Sequence, residues 1–240
     1  MGRSLLKCGK EPTFGAKLGV GSYFSVTPTG PEYFLLINFA SVNKIELLCF
    51  YIEPGKRLSE WEERGCMQRI AIDMDEVIAD FNPKHLRVFN RDYNENLTLN
   101  DLMGTRLREL RPQFQKEIIA YLNDPTFFRD LDVMKDCQEV IKKLSQRFEI
   151  FITTAAMEFP SSFTAKYEWL KEHFPFLDEM NFVFCGDKSI INADYLIDDN
   201  VRHFKRFKGQ GILYTAPHNI NETGYVRVNN WLEIQRYFLG

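Results

Sequence analysis

The hydrophobic and polar positions of the chain change pattern near residue 67. From there on, short apolar runs alternate with segments whose apolar residues recur every three or four positions, the pattern of strands and amphipathic helices. The strand candidates are Arg69–Ile72, Glu149–Thr153, Asn181–Cys185, Tyr195–Ile197 and Gly211–Thr215. Short, almost wholly apolar strands suit a parallel sheet that is buried on both faces. The pattern therefore predicts an α/β fold with a doubly wound, Rossmann-like parallel sheet.

Two segments between these strands have the features of surface helices. Asp136 and Glu139 have the spacing of a capping box, and the apolar residues that follow them share one helical face. A second helix is predicted to begin near Pro160. Its predicted apolar stripe consists of Phe163, Tyr167, Leu170 and Phe174.

Residues 73–148 separate the first two strand candidates, which is too long for a single crossover helix. This region contains helical patterns at 82–93 and 111–125, with a capped turn ended by Gly104 between them. We predict that residues 82–132 form a small helical cap, and that 67–81 and 133–240 form the core. A cap is useful where a reaction beneath it must be shielded from water.

Residues 1–66 are punctuated by glycine and proline and show no helical period. Strands are predicted around Tyr33–Phe39 and Ile45–Tyr51. We expect Met67 to be the natural start, with residues 1–66 a mis-assigned or vector-derived extension. The competing interpretation is an accessory segment that packs on the core. Loss of folding or solubility in a chain that begins at Met67 would favour that second interpretation.

Composition narrows the class of protein. The chain has 240 residues, 45% hydrophobic and 26% charged, with a net charge of −3. The absence of a Lys/Arg run argues against nucleic acid as a partner. The five cysteines contain no C-x-x-C pair, which favours free thiols in a reducing compartment. The apolar stretch 32–54 contains too many polar residues to span a membrane. We predict a soluble, cytoplasmic protein with no membrane partner, and the sequence leaves a homo-oligomer open.

Reactive side chains follow successive strands. Asp73 follows the first strand candidate, Thr154 the second, Lys188 the third, and Asp198 and Asp199 the fourth. Each signal alone is weak, because such residues commonly cap helices or lie in solvent. In open α/β sheets, however, the ligand binds beyond the carboxyl ends of the strands, so these groups are predicted to converge there.

The converging carboxylates predict a magnesium site. Asp73, Asp75 and Asp199 would repel one another unless a cation lay among them. Mg²⁺ prefers oxygen ligands and can also bridge to a phosphate oxygen. Phosphoryl transfer is therefore the predicted chemistry.

Four side chains have predicted roles in that chemistry. Asp73 can attack phosphorus and form an aspartyl-phosphate. Asp75 can protonate the leaving oxygen and later accept a proton from the attacking water. Thr154 and Lys188 can stabilise the phosphoryl oxygens, Thr154 through a hydrogen bond and Lys188 through its charge.

These residues resemble motifs of a known superfamily. "DMDEV" resembles the first motif of the haloacid dehalogenase superfamily, "FITTA" the second, and Lys188 with "LIDD" the third and fourth. Within it, "DMDEVIADF", "KYEWLKEHF" and "DKSIINADYLIDDN" look closest to the 5'(3')-deoxyribonucleotidases. The resemblance extends from about Met67 to Gly240. It implies Mg²⁺-dependent hydrolysis of deoxyribonucleoside monophosphates.

The resemblance also implies residue roles. Asp73 would be the nucleophile and Asp75 the general acid/base. The metal would be bound by Asp73, the backbone carbonyl of Asp75, and Asp199, with Asp198 in support. Thr154 and Lys188 would bind phosphate. Phe81 would lie against the nucleobase, although packing between cap and core explains it equally well.

Two positions depart from the family pattern. Ala155 and Ala156 stand where better-known members have a hydroxyl residue and a proline, which would remove a hydrogen bond to phosphate. Glu76 stands where they have glycine, and its charge could repel some anionic substrates. Both departures bear on the substrate and leave the reaction class intact.

Three alternatives remain at this stage. A receiver-type signalling module also uses an acidic pair, a threonine and a lysine, but its acidic pair precedes the phosphorylated aspartate and no cap follows its first strand. A dehalogenase of the same superfamily would not need Asp75 or the metal site. A phosphatase for another small phosphate ester is the serious alternative, because the cap selects the substrate.

Overall fold

A computed structural model describes residues 67–240 throughout and the backbone of four strands between residues 14 and 52. The chain divides into two compact units, Met1–Cys66 and Met67–Gly240. The proposed start at Met67 stays a prediction.

The first unit contains a four-stranded antiparallel sheet in the order β1-β2-β3-β4. Its strands are β1 (Phe14–Leu18), β2 (Ser22–Thr29), β3 (Glu32–Ser41) and β4 (Lys44–Ile52). The two strands predicted from sequence lie within β3 and β4. The first two strands of this sheet were not specified by the pattern.

The second unit contains a six-stranded sheet in which all neighbours are parallel, in the order β12-β11-β10-β5-β8-β9. Its strands are β5 (Arg69–Asp73), β8 (Glu149–Thr154), β9 (Phe182–Phe184), β10 (Tyr195–Asp198), β11 (Gln210–Tyr214) and β12 (Val226–Val228). The predicted doubly wound α/β fold is confirmed. Strands β8 and β9 lie on one side of β5, and β10, β11 and β12 lie on the other. The strand order therefore reverses between β5 and β10, and the crevice for a ligand lies at the carboxyl ends of these two strands.

Burial of the central strands explains why they read as apolar runs. Ile70, Ala71 and Ile72 of β5 are fully buried, as are Leu196 and Ile197 of β10. Helices α4 (Cys137–Leu144), α5 (Phe163–His173) and α6 (Trp231–Leu239) belong to the same unit. Trp169 of α5 and Trp231 of α6 are fully buried in the main core. A strand with apolar neighbours on both sides has no reason to alternate polar residues.

A mostly helical segment is inserted between two very short strands, β6 (Ala79–Asp80) and β7 (Asp132–Val133), which pair antiparallel. Its helices are α1 (Phe81–Tyr93), α2 (Leu107–Leu110) and α3 (Gln115–Asn123). The segment has a small core of its own, composed of Leu86, Phe89, Leu102, Leu107 and Ile118. Helix α2 was not predicted, because four residues are too few for a helical period to show.

Two local predictions were wrong. Asp136 precedes α4 but has φ of 65°, and its side chain makes no capping hydrogen bond. Glu139 instead pairs with Lys143 at 2.6 Å on the helix surface. On α5 the predicted stripe is only partly buried, since Tyr167 is exposed. The buried face consists of Ala165, Lys166, Trp169 and Leu170.

Among the described residues, no helix combines the length and apolar character that a membrane crossing requires.

Candidate active site

The first strand of the parallel sheet delivers two carboxylates to its carboxyl end. Asp73 is the last residue of β5 and Asp75 lies in the turn that follows. In that turn the amides of Ile78 and Ala79 both donate to the carbonyl of Met74, at 3.0 and 2.9 Å. The turn is therefore held by its own backbone, which keeps both carboxylates close to the sheet.

Lys188 neutralises two of the carboxylates. Its ammonium donates to Asp73 Oδ1 at 2.5 Å and to Asp198 Oδ2 at 2.6 Å, and the lysine is fully buried. Burial alone lowers the pKa of Lys188, but the charges of Asp198 and Asp73 outweigh it and the pKa is raised. Lys188 is therefore charged at any physiological pH.

Three buried carboxylates converge beside this lysine. Oxygen atoms of Asp73, Asp198 and Asp199 lie within 4.8 Å of one another, close enough to share one ion. Both oxygens of Asp198 already accept hydrogen bonds, one from Lys188 and one from the amide of Asn200 at 2.8 Å. Asp73 and Asp199 are therefore the better ligands, with Asp198 in support.

Asp199 is the carboxylate with the least compensation. No hydrogen bond from residues 67–240 reaches its side chain, and His218 Nε2 lies 3.5 Å from Asp199 Oδ2. Burial lowers the pKa of His218 to about 4, so this imidazole is neutral. Burial, and then the charges of Asp198 and Asp73, raise the pKa of Asp199 well above its usual value. A buried carboxylate of this kind fits a divalent cation with oxygen ligands.

Asp75 does not join that cluster but pairs with a lysine that the sequence analysis missed. Lys166 on α5 donates to Asp75 Oδ2 at 2.5 Å and to Thr154 Oγ1 at 3.0 Å. Its ammonium also lies 4.3 Å from the ring centre of Phe128. Only 3% of Lys166 is exposed. The sequence did contain one signal for Lys166. It lies three and four positions before the apolar residues Trp169 and Leu170, and therefore on the same, buried face of α5.

The two departures from the family pattern have visible consequences. Ala155 lines the pocket without a hydroxyl. Glu76 has φ of 62°, a conformation that favours glycine, and its Oε1 accepts a 2.7 Å hydrogen bond from the amide of Asn82. Glu76 therefore caps the amino end of α1, which Asp80 leaves without a side-chain cap. Burial raises the pKa of Glu76 to about 7.

A cavity of about 460 Å³ lies between the sheet edge and the helical segment. Asp73, Asp75 and Asp199 line one side. The helical segment contributes the opposite wall, in which the main residues are Phe81, His85, Arg106, Ile118 and Phe128. Phe81 stacks at 6.1 Å on Phe128, so it both lines the cavity and packs against the core. Of the predicted residues, Asp73, Asp75, Phe81 and Asp199 line this cavity. Lys188 contacts Asp73 and Asp198 behind it, and Thr154 is linked to Asp75 through Lys166.

The fold defines the class first: the chain has the fold of haloacid dehalogenase-like hydrolases. A solved hydrolase of that family from Streptococcus pneumoniae has the same fold, with a TM-score of 0.50 and 12% identity over 72% of this chain and 98% of that one. Residues 67–239 match the family model "5' nucleotidase, deoxy (Pyrimidine), cytosolic type C protein", and the chain belongs to that family.

Similar proteins bear related names. A Bacillus subtilis protein named 5'(3')-deoxyribonucleotidase is 39% identical over 170 residues, covering 71% of this chain and 98% of its own length. A Staphylococcus epidermidis protein that bears this name provisionally is 48% identical over 171 residues, 71% of this chain and 96% of its own length. The chain is accordingly a phosphomonoester hydrolase of the 5'-nucleotidase type. The receiver-type alternative is set aside by the same finding.

Proposed function

We propose that this protein hydrolyses deoxyribonucleoside monophosphates to nucleoside and phosphate, with Mg²⁺, through an aspartyl-phosphate on Asp73. The observation that carries the proposal is the shared placement of Asp73, Asp198 and Asp199 around Lys188 at one sheet edge. The nucleotidase family of the chain supports the reaction class. The names of its relatives support the substrate.

Asp73 is suited to nucleophilic attack. Its Oδ1 is held by Lys188 at 2.5 Å, so its other oxygen is free to face a phosphorus atom. Attack forms the bond between Asp73 and phosphorus as the bond from phosphorus to the nucleoside oxygen breaks. Lys188 then lies next to the phosphoryl oxygens, where a fixed positive charge stabilises the developing negative charge.

The carboxylates of Asp73 and Asp199 would bind Mg²⁺ together with the backbone carbonyl of Asp75, and Asp198 would support them. Bound there, the ion would neutralise charge on the phosphoryl group. The uncompensated burial of Asp199 supports its assignment as a ligand.

Asp75 is suited to moving the proton. Its Oδ2 is held by Lys166, whereas its Oδ1 is buried and has no hydrogen-bond partner among the described residues. Burial raises the pKa of Asp75, although the charge of Lys166 opposes this. Asp75 would protonate the leaving nucleoside oxygen, and then take a proton from the water that cleaves the aspartyl-phosphate.

The cavity suits a nucleoside monophosphate, and so does the wall that the helical segment contributes to it, here called the cap wall. A volume of about 460 Å³ is in the range of ligand sites, and Phe81 offers an aromatic face for a base. We propose that residues 82–132 act as the cap that selects the substrate, over a core formed by 67–81 and 133–240.

A substrate panel tests this assignment. Purified protein with Mg²⁺ is assayed for phosphate release from deoxyribonucleoside 5'- and 3'-monophosphates, ribonucleotides and sugar phosphates. The proposal predicts kcat/KM at least about tenfold higher for a deoxyribonucleotide than for any sugar phosphate. A sugar phosphate as the best substrate would instead establish the alternative, a phosphatase for another small ester.

A further inference from the structure

Lys166 has no role in the chemistry described so far, yet it is the second of two buried lysines that contact the reactive groups. It is on α5, whereas Lys188 follows β9, and the two contact different carboxylates. Burying an ammonium is costly unless its partners are well placed. Its contacts therefore define what Lys166 does.

The contact with Thr154 fixes the direction of a hydroxyl proton. An ammonium has three donors and no acceptor, so in the 3.0 Å contact the oxygen of Thr154 must accept. The proton of Thr154 then points elsewhere, and no acceptor for it exists among residues 67–240. A hydroxyl held in this way can donate to a phosphoryl oxygen.

The contact with Asp75 fixes the orientation of its carboxylate. Lys166 occupies Oδ2 at 2.5 Å, and Oδ1 is left buried and unpartnered. Asp75 also lines the cavity. Since Oδ1 has no exposed surface, the part of Asp75 that lines the cavity is the side that Lys166 holds, and the carboxylate cannot rotate without breaking its ion pair.

We infer that Lys166 is a positioning residue, which orients the Thr154 hydroxyl as a donor to phosphate and fixes the rotamer of Asp75 for proton transfer. This inference rests on the proposed function, because it assigns the proton steps to Asp75. It also accounts for Ala155: one donor to phosphate is lost there, and Lys166 ensures that the neighbouring hydroxyl is correctly directed.

The decisive variant is Lys166→Met, which keeps the aliphatic stem and removes the donors. The matched control is Lys171→Met on the same helix, where an exposed lysine pairs with Glu179 at 3.1 Å. With a nucleoside monophosphate, whose leaving group needs a proton, kcat should fall roughly 100-fold for Lys166→Met. With p-nitrophenyl phosphate, whose leaving group needs none, the loss should be about tenfold smaller. Lys171→Met should match the wild type with both esters.

A purely structural role predicts a different result. Lys166→Met would then lose the same factor with both esters, in proportion to the folded fraction, and that equality would overturn the inference.

A double-mutant cycle between Lys166 and Thr154 provides the second readout. In a Thr154→Val background, Lys166→Met should cost at least threefold less kcat/KM than in the wild type, because the hydroxyl it directs is gone. Additive losses would contradict the inference.

A third variant guards against misfolding. Asp75→Asn/Lys166→Met removes both members of the buried pair, so no orphan charge is left. With Thr154→Val added to both, it should equal Asp75→Asn in the rate of phosphoenzyme breakdown, because Lys166 then has neither group left to position, and a further loss would count against the inference. Failure of the proposed function has a separate signature, since activity that survives Asp73→Asn would remove the nucleophile itself. If only non-nucleotide esters are hydrolysed, the comparison is made with the best of them.

Discussion

The two walls of the cavity, the sheet edge and the cap wall, differ in the kind of side chain they bury. At the sheet edge, the buried charged groups other than Asp199 are paired: Lys188 with Asp73 and Asp198, and Lys166 with Asp75. On the cap wall, Phe81 and His85 belong to an aromatic cluster, and His85 Nε2 is buried and has no hydrogen-bond partner within residues 67–240. Under the proposed function, the difference means that the sheet edge carries out the reaction, whereas the cap wall selects the substrate. Substitutions at the sheet edge should therefore affect turnover, and those in the cap should affect selection and stability.

The largest effect is expected from Asp73→Asn. An amide is a poor nucleophile and removes one charge from the cluster, so kcat should fall by at least about 10⁴-fold while the protein stays folded. Phosphate release and circular dichroism are the measurements. Asp178→Asn is the control, because that exposed aspartate caps a short surface turn and should leave kcat unchanged.

Removal of the metal should silence the enzyme almost as completely. EDTA is expected to reduce turnover to below about 1%, and Mg²⁺ should restore it. Independently of activity, saturating Mg²⁺ should stabilise the fold by about 2.7 kcal/mol at a hundred times Kd. Asp199→Asn should abolish that thermal shift, and an unchanged shift would exclude Asp199 as a ligand.

Asp75→Asn should separate the two half-reactions. The nucleophile is intact, so phosphoenzyme still forms, but water is no longer deprotonated and kcat falls about 10²- to 10³-fold. Rapid quench should show a burst of one nucleoside per active site, followed by slow release of phosphate. A variant that turns over at the wild-type rate would remove Asp75 from the proton steps.

In the cap, His85→Phe should change the response to acid. Burial lowers the pKa of His85 to about 4, so the unfolded chain binds this proton more readily than the folded one. The contribution of neutral His85 to stability is complete above about pH 6.5 and is lost as the pH falls towards 4. Phenylalanine fits the aromatic surroundings and does not titrate. Urea unfolding should show the variant losing on the order of 3 kcal/mol less than the wild type between pH 7 and pH 4.

Phe81→Leu should have the smallest effect. The loss of an aromatic face costs about 1 kcal/mol of contact with a base, so KM for a nucleotide should rise roughly fivefold at nearly constant kcat. The KM for p-nitrophenyl phosphate should not change, because that ester has no nucleobase. An equal rise for both would favour the packing role of Phe81 over base contact.

The sheet edge was more predictable from sequence than the cap wall, for physical reasons. Strands place the residues that follow them at a common edge, so Asp73, Lys188 and Asp199 could be brought together from spacing alone. Lys166 was not predicted, because the contacts of a helical residue depend on how the helix is rotated about its axis. The predicted stripe of α5 included Tyr167, which placed Lys166 outside the buried face. The capping role of Glu76 depends on a left-handed backbone, which the residue type does not predict.

The most direct test of the central claim is to locate the phosphoryl group during turnover. Substrate and Mg²⁺ are mixed with the enzyme, the reaction is quenched with borohydride, which reduces an aspartyl-phosphate to homoserine, and the peptides are analysed by mass spectrometry. The account predicts reduction at Asp73 alone, dependent on Mg²⁺ and absent in Asp73→Asn. Reduction at another carboxylate, or unmodified Asp73 in an enzyme that is turning over, would contradict it.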